Sequence, residues 1–131
     1  MRVIIAGSRS IDDPIDIRQA VRQSGFIVSE VVSGGARGAD RLGEYWAEEN
    51  GVPCQRFPAD WETFGKPAGI IRNVAMAKYA DALIAIWDGR SNGTKHMIDT
   101  ATGHGLQVFV YQPGKFREND AALVAAREGR S

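Results

Sequence analysis

At 131 residues the chain is long enough to bury a core without disulfide staples, and its 16 lysines and arginines are balanced by 16 aspartates and glutamates. That balance, with no cluster of Lys and Arg along the sequence, argues against a polyanion-binding protein. A single cysteine, Cys54, excludes an intrachain disulfide, and no apolar run approaches a membrane span. With a strand at the very start and no signal-type leader, the expectation is a cytoplasmic protein. One domain is expected over 1–131, with its core over about 2–111 and a tail over 112–131.

In chain order, Arg2 to Ala6 reads as a short apolar strand running into Gly7-Ser8-Arg9-Ser10. Asp12, Asp13 and Pro14 mark the start of a helix carrying Ile15, Ile17, Ala20 and Val21, and Gly25 ends it. Glu30 to Ser33 is a second strand, and Gly34-Gly35-Ala36-Arg37-Gly38-Ala39-Asp40 turns it into a helix with Leu42, Trp46 and Ala47, stopped by Gly51 and Pro53. Cys54 to Phe57 is a third strand, followed by a loop over Pro58 to Lys66 that holds Trp61 and Phe64. Pro67 opens a helix through Ile71, Ala75, Met76 and Tyr79. The run Ala82 to Trp87 reads as a strand buried on both faces, with a polar Gly-rich turn, Asp88 to Asn92, and a helix whose first residues are Gly93 and Thr94. Gln107 to Tyr111 is the fifth strand, broken by Pro113-Gly114, and the Ala-rich tail from Glu118 reads as helical with a fraying end.

Five alternations of strand and helix predict an α/β fold: a Rossmann-like doubly wound parallel sheet of about five strands, in the order 3-2-1-4-5. The order reverses between the first and fourth strands, and a ligand is expected at their carboxyl ends. The turns falling there are Gly7-Ser8-Arg9 and Gly89 to Thr94. Free amides and the dipole at a helix start favour an anion, so a phosphate is expected at Ser91, Asn92, Gly93, Thr94 and Lys95, helped by Ser8 and Arg9. Neither turn carries a dinucleotide or Walker fingerprint.

Each candidate has a plainer alternative. Thr94 could cap its helix, and Arg9 could be a solvated charge. Asp40 at a helix start would repel phosphate, so it either accepts from sugar hydroxyls or pairs with Arg37. Trp61 could stack a base or form an apolar lid. Trp46 and Met76 read as core, Cys54 as a small buried hydrophobe, and His96 as a lone exposed histidine. His96 and His104 without a carboxylate or thiol cluster make no metal site, and no cofactor is expected.

Ala6-Gly7-Ser8-Arg9 together with Ser33-Gly34-Gly35-Ala36-Arg37-Gly38-Ala39-Asp40 resembles the Smf/DprA half of the SLOG superfamily. Arg72-Asn73, Met76, Ala80-Asp81-Ala82 and Gly93-Thr94 resemble its other half, the LOG phosphoribohydrolases, which carry Arg-Lys where this chain has Arg72-Asn73. The whole pattern is most similar to the small YspA/cpYpsA-related proteins of bacteria and phages. The resemblance implies a nucleotide or nucleotide-derived ligand, with phosphate near Gly93 and Thr94 and sugar and base toward Gly7, Gly34, Gly35, Arg37, Gly38 and Asp40; Asp40 and Asp88 are expected to meet the sugar hydroxyls. The favoured role is a sensor or sponge for a signalling nucleotide.

A first alternative is a hydrolase releasing free base from a nucleoside monophosphate, with Arg72 and Asp88 at the glycosidic bond. The glutamate that the LOG enzymes place three residues after the loop threonine is Met97 here, Asp99 is a poor substitute, and Asp88 is the better stand-in. A second alternative is DprA-like binding of single-stranded DNA through Arg9 and Arg37. Homo-oligomers are usual among the LOG relatives, which makes the helix from Pro67 to Tyr79 an expected contact face.

Overall fold

A computed structural model describes residues 1–113. The expected helical tail from Glu118 lies outside the described residues. Five parallel strands, β1 (Arg2–Gly7), β2 (Glu30–Ser33), β3 (Cys54–Arg56), β4 (Ala82–Ile86) and β5 (Gln107–Tyr111), form one sheet in the order β3-β2-β1-β4-β5. The predicted class and strand order are both found.

The helices are α1 (Pro14–Ser24), α2 (Ala39–Glu49), α3 (Trp61–Phe64), α4 (Ala68–Tyr79) and α5 (Asn92–Gly103). Alternate residues of the central strands face opposite layers, as the two-residue period of a strand requires. Val3 and Ile5 of β1 and Ile84 and Ile86 of β4 pack with Ile17, Ala20 and Ala47 from α1 and α2. Ile4, Ala6, Leu83 and Ala85 pack with Met76 and Ala77 of α4 and Met97 and Ala101 of α5. β4 is buried at every position because helices cover it on both sides.

Local chemistry explains most boundaries. Asp13 caps α1 by accepting from the Ile15 amide at 3.0 Å, and Gly25 ends it in the left-handed region at φ 71°. α5 begins one residue earlier than expected because Ser91 is its cap, accepting from the Thr94 amide at 3.3 Å. Thr94 therefore does not cap the helix. The predicted loop over Pro58 to Lys66 contains α3, a short helix capped by Asp60, whose side chain accepts from the Thr63 amide.

Two side chains depart from expectation. Cys54 is exposed, since β3 is the edge strand and all three of its residues face solvent. Trp46 is only partly buried, packed on the margin of the core. Among the described residues no helix is long and apolar enough to cross a membrane.

Candidate functional site

The reversal of strand order between β1 and β4 opens a cleft of about 270 Å³ at their carboxyl ends. Its walls come from the turn after β1, the turn into α2, one face of α4 and the first turn of α5. Gly7, Arg9, Asp40, Arg72, Asn73, Ser91, Gly93 and Thr94, all expected at the site, line it together.

Glycine is demanded where the turns pack on one another. A Cβ on Gly7 would lie 2.1 Å from the Ile86 carbonyl oxygen and 2.8 Å from the Ala39 Cβ. Gly38 has φ 80°, and its Cβ would come within 2.5 Å of the Ser8 carbonyl oxygen. The two glycine motifs are thus two halves of one backbone contact, reinforced by the Ala39 amide donating to the Ser8 carbonyl at 3.3 Å. Gly93 differs: it lies in the wall of the cleft, its φ is ordinary, and a Cβ there would meet nothing within 4 Å.

Asp40 is the electrostatic centre. Only 4% exposed, its Oδ2 accepts from the Ala36 amide at 3.2 Å. Burial pushes its pKa up to about 6, against the pull of the Ala36 amide, the nearby Arg72 charge and the Gly7 amide. Of the two roles open to Asp40 in the sequence, pairing with Arg37 is absent; the cation beside it is Arg72. Arg72 is half-buried and donates from Nη1 to the Gly34 carbonyl at 2.9 Å and from Nε to Asn73 Oδ1 at 3.0 Å. A Cβ on Gly34 would sit 2.5 Å from that Nη1, so glycine is what lets the arginine through. Burial lowers the Arg72 pKa, and the Asp40 charge opposes the shift.

Asn73 passes the arrangement on. With its Oδ1 engaged by Arg72, its Nδ2 donates to His96 Nδ1 at 3.1 Å, which leaves the His96 proton on Nε2. His96 is therefore half-buried in the cleft wall and partnered, where a lone exposed histidine was expected. Met97 faces the cleft and is 2% exposed, so the position of the LOG glutamate does look into the site, but as an apolar surface.

Other expected residues are placed elsewhere. Asp88 does not line the cleft: its Oδ1 accepts from the Arg90 and Ser91 amides, each at 2.8 Å, and its Oδ2 from the Ser10 hydroxyl at 3.3 Å. Those two amides hold the Asp88 carboxyl below its usual range, Arg90 most strongly. The Ser91 amide is thereby taken from the phosphate expected at that turn. Ser8 is buried, and its hydroxyl accepts from the Asp88 amide at 3.0 Å, which makes it a brace between β1 and β4.

The Lys95 ammonium meets Asp99 Oδ2 at 2.9 Å on the solvent side of α5, away from the expected phosphate, and Asn92 is exposed outside the cleft. Gly34, Gly35 and Arg37 line a separate groove, described below. Sequence reasoning missed Lys66, Gly69 and Ile70 in the cleft wall. No local pattern marks them, and only the position of α4 against the sheet brings them there. Among the described residues no three His, Cys, Asp or Glu side chains converge as a metal site.

The absence of a Lys/Arg cluster holds along the sequence and not in space. Arg9, Arg37, Arg41, Arg56 and Arg72 all border the groove next to the cleft.

The fold is that of a doubly wound α/β protein with a cleft at the switch point of its sheet. The profile of the YspA, cpYpsA-related SLOG family matches residues 1–64. The chain is also 38% identical to the Gene 61 protein of Mycobacterium phage D29, in an alignment that covers 82% of this chain and 93% of that protein. It belongs to the YspA, cpYpsA-related SLOG family. Among solved structures it is similar to DNA processing protein A (DprA) from Streptococcus pneumoniae, with a TM-score of 0.68 and 18% identity. That match covers 83% of this chain and 49% of the DprA chain, so this chain spans about half the length of that protein. The likeness is one of fold.

Proposed function

We propose that the cleft binds a nucleoside phosphate and that the protein acts as a binding module for a nucleotide. Membership of the SLOG family supports a nucleotide-related or DNA-related role in general. The observation that carries the finer reading is that one cleft is lined both by the start of α5, suited to an anion, and by a buried carboxylate, suited to hydroxyls.

The phosphate sits at the first turn of α5. The Arg90 and Ser91 amides are taken by Asp88 and the Thr94 amide by Ser91, which leaves those of Asn92 and Gly93, unpaired by the geometry of any helix start. Gly93 supports this placement, because the fold has room for a side chain there and a helix is weakened by glycine. A bare Cα lets an anion approach those amides. Arg9 completes the anion site, while the Thr94 hydroxyl donates to Ser91 Oγ at 3.1 Å and holds the cap in place. Asp40 accepts from the ribose hydroxyls, and Met76, Ile70 and Met97 supply an apolar wall for the base.

A melting screen with nucleoside monophosphates tests this. A ligand at a hundredfold over its Kd adds about 2.7 kcal/mol and raises Tm by several degrees. Gly93→Ala is expected to be as stable as the wild type or more stable by up to about 1 kcal/mol, and to lose the ligand shift. If no monophosphate shifts the wild-type protein, the reading is wrong.

One observation favours a second reading, hydrolysis of the glycosidic bond: a carboxylate and an arginine, Asp40 and Arg72, line the same cleft close enough for the arginine charge to act on the carboxylate. Asp88 is not that carboxylate. Water would attack the anomeric carbon, the carbon–nitrogen bond would break, and ionised Asp40 would take the water proton as the base leaves with one from solvent. Because Asp40 ionises near pH 6, base release should rise as pH increases through that value. Chromatography of free base against pH tests it, and unchanged nucleotide at pH 8 excludes it.

A further inference from the structure

The arginine-lined groove is a second depression of about 400 Å³ that adjoins the cleft; Arg9, Trp61 and Arg72 border both. Its five arginines come from four separate stretches of chain, and two of them are committed. Arg56 donates from Nε to Glu44 Oε1 at 3.0 Å, and from Nη2 to the same oxygen. Arg72 is held by Gly34 and Asn73. The side chains of Arg9, Arg37 and Arg41 are exposed and have no ion pair or hydrogen bond among the described residues.

The nearby carboxylates do not neutralise these three. Glu44 is turned to Arg56 and to the Ser33 hydroxyl, and Asp40 is buried on the side of the cleft. Three uncommitted guanidinium groups around one concavity, in a chain with no net charge, focus a positive potential there. Guanidinium suits phosphate in particular, since its fork donates to two oxygens at once.

Trp61 stands at the junction of the two cavities. It is 51% exposed, and its ring edge lies 3.4 Å from where a Gly69 Cβ would be, so the indole rests on α4 at a position without a side chain. An exposed, supported aromatic ring beside a cationic groove is what a nucleobase stacks on.

We propose that the ligand continues out of the cleft into this groove as a second, phosphodiester-linked nucleotide. The linking phosphate is held by Arg37 and Arg41, with Arg9 standing between it and the first phosphate, and the second base stacks on Trp61. This rests on the nucleoside phosphate reading for the first subsite only, where the linkage through the 3′-oxygen leaves the 2′-hydroxyl of the first ribose to donate to Asp40. A free dinucleotide and the end of a single strand share this chemistry.

The test is equilibrium binding to the full chain of the four nucleoside 5′-monophosphates, the four 5′-phosphorylated homodinucleotides and longer strands of the same bases. Each is measured on the wild type and on an Arg37→Gln/Arg41→Gln double variant. Both positions are exposed and unpartnered, so the variant is expected to melt as the wild type does. A dinucleotide should bind about tenfold tighter than its monophosphate, the effect of one or two charge-assisted contacts. The double variant should lose that gain and bind the monophosphate within about twofold of wild type. It should also show a shallower dependence on salt.

Longer strands no tighter than the dinucleotide identify a free dinucleotide; much tighter strands identify a strand end. A dinucleotide that binds no better than its monophosphate, or a gain that survives the double variant, overturns the groove and leaves the mononucleotide reading standing. Dinucleotide binding that the double variant loses, without any monophosphate binding, supports the groove and overturns the mononucleotide reading. No binding by any probe overturns both.

Discussion

Gly7→Ala is expected to be the most destabilising single-methyl change among the described glycines, costing more than about 4 kcal/mol and leaving little folded protein. The added Cβ would lie 2.1 Å from the Ile86 carbonyl oxygen, 2.9 Å from its carbonyl carbon and 2.8 Å from the Ala39 Cβ. None of these can step aside. Ile86 ends β4 and its carbonyl accepts from the Ser8 amide at 3.0 Å; Ala39 is fully buried at the start of α2. To make room, β1 and β4 would have to part where their register, Gly7 beside Ile86, closes the sheet. Urea unfolding of Gly7→Ala beside Gly93→Ala separates steric demand from any general effect of alanine. A Gly7→Ala protein within about 1 kcal/mol of wild type would mean that the two turns are not packed as described.

Asp40→Asn is expected to make the protein more stable and less functional at once. The Asp40 pKa rises on folding from 3.8 to about 6, so over that interval the folded state holds more protons than the unfolded one. Stability therefore falls as pH rises from 3.8 to 6, and the cost is complete above 6. Its size is on the order of 3 kcal/mol, from which the desolvation of the asparagine amide subtracts. The variant should melt several degrees above wild type at pH 7.5 and no higher at pH 4. At pH 7.5 it should also bind nucleotide about tenfold or more weakly, because the neutral amide is a poorer acceptor for ribose hydroxyls. A variant that is less stable at pH 7.5 would show that the ionised carboxylate holds the turn together. One that is more stable and binds equally well would remove Asp40 from the ligand site.

These two positions show what kinds of information the sequence carries. The strand and helix boundaries at Asp13, Gly25, Glu30–Ser33 and Gln107–Tyr111 follow from residues next to each other in the chain. Caps, breakers and apolar runs are local chemistry, and local chemistry is legible without a fold. Their alternation then restricts the sheet to a doubly wound order, which in turn marks the ends of β1 and β4 as the place for a site.

Within the site, the sequence could name the residue types and not their directions. Asp88 and Lys95 flank the α5 turn as closely as Ser91 and Gly93 do. Yet the Asp88 carboxylate folds back onto its own loop, and Lys95 reaches along the helix to Asp99. Short-range partners capture charged side chains first, and a pattern of letters does not record which way they turn.

The sequence by itself determined the class of fold, the order of the strands and the end of the sheet at which the cleft opens, because hydrophobic periodicity and turn chemistry are written between near neighbours. Only the tertiary structure decided that the cation acting on Asp40 is Arg72 and not Arg37, and that His96 is tied to Asn73. The structure likewise gathers five scattered arginines around one groove. Those are contacts between residues far apart in the chain. They form only when packing brings separate turns together, and the burial that comes with packing is also what shifts the ionisation of Asp40.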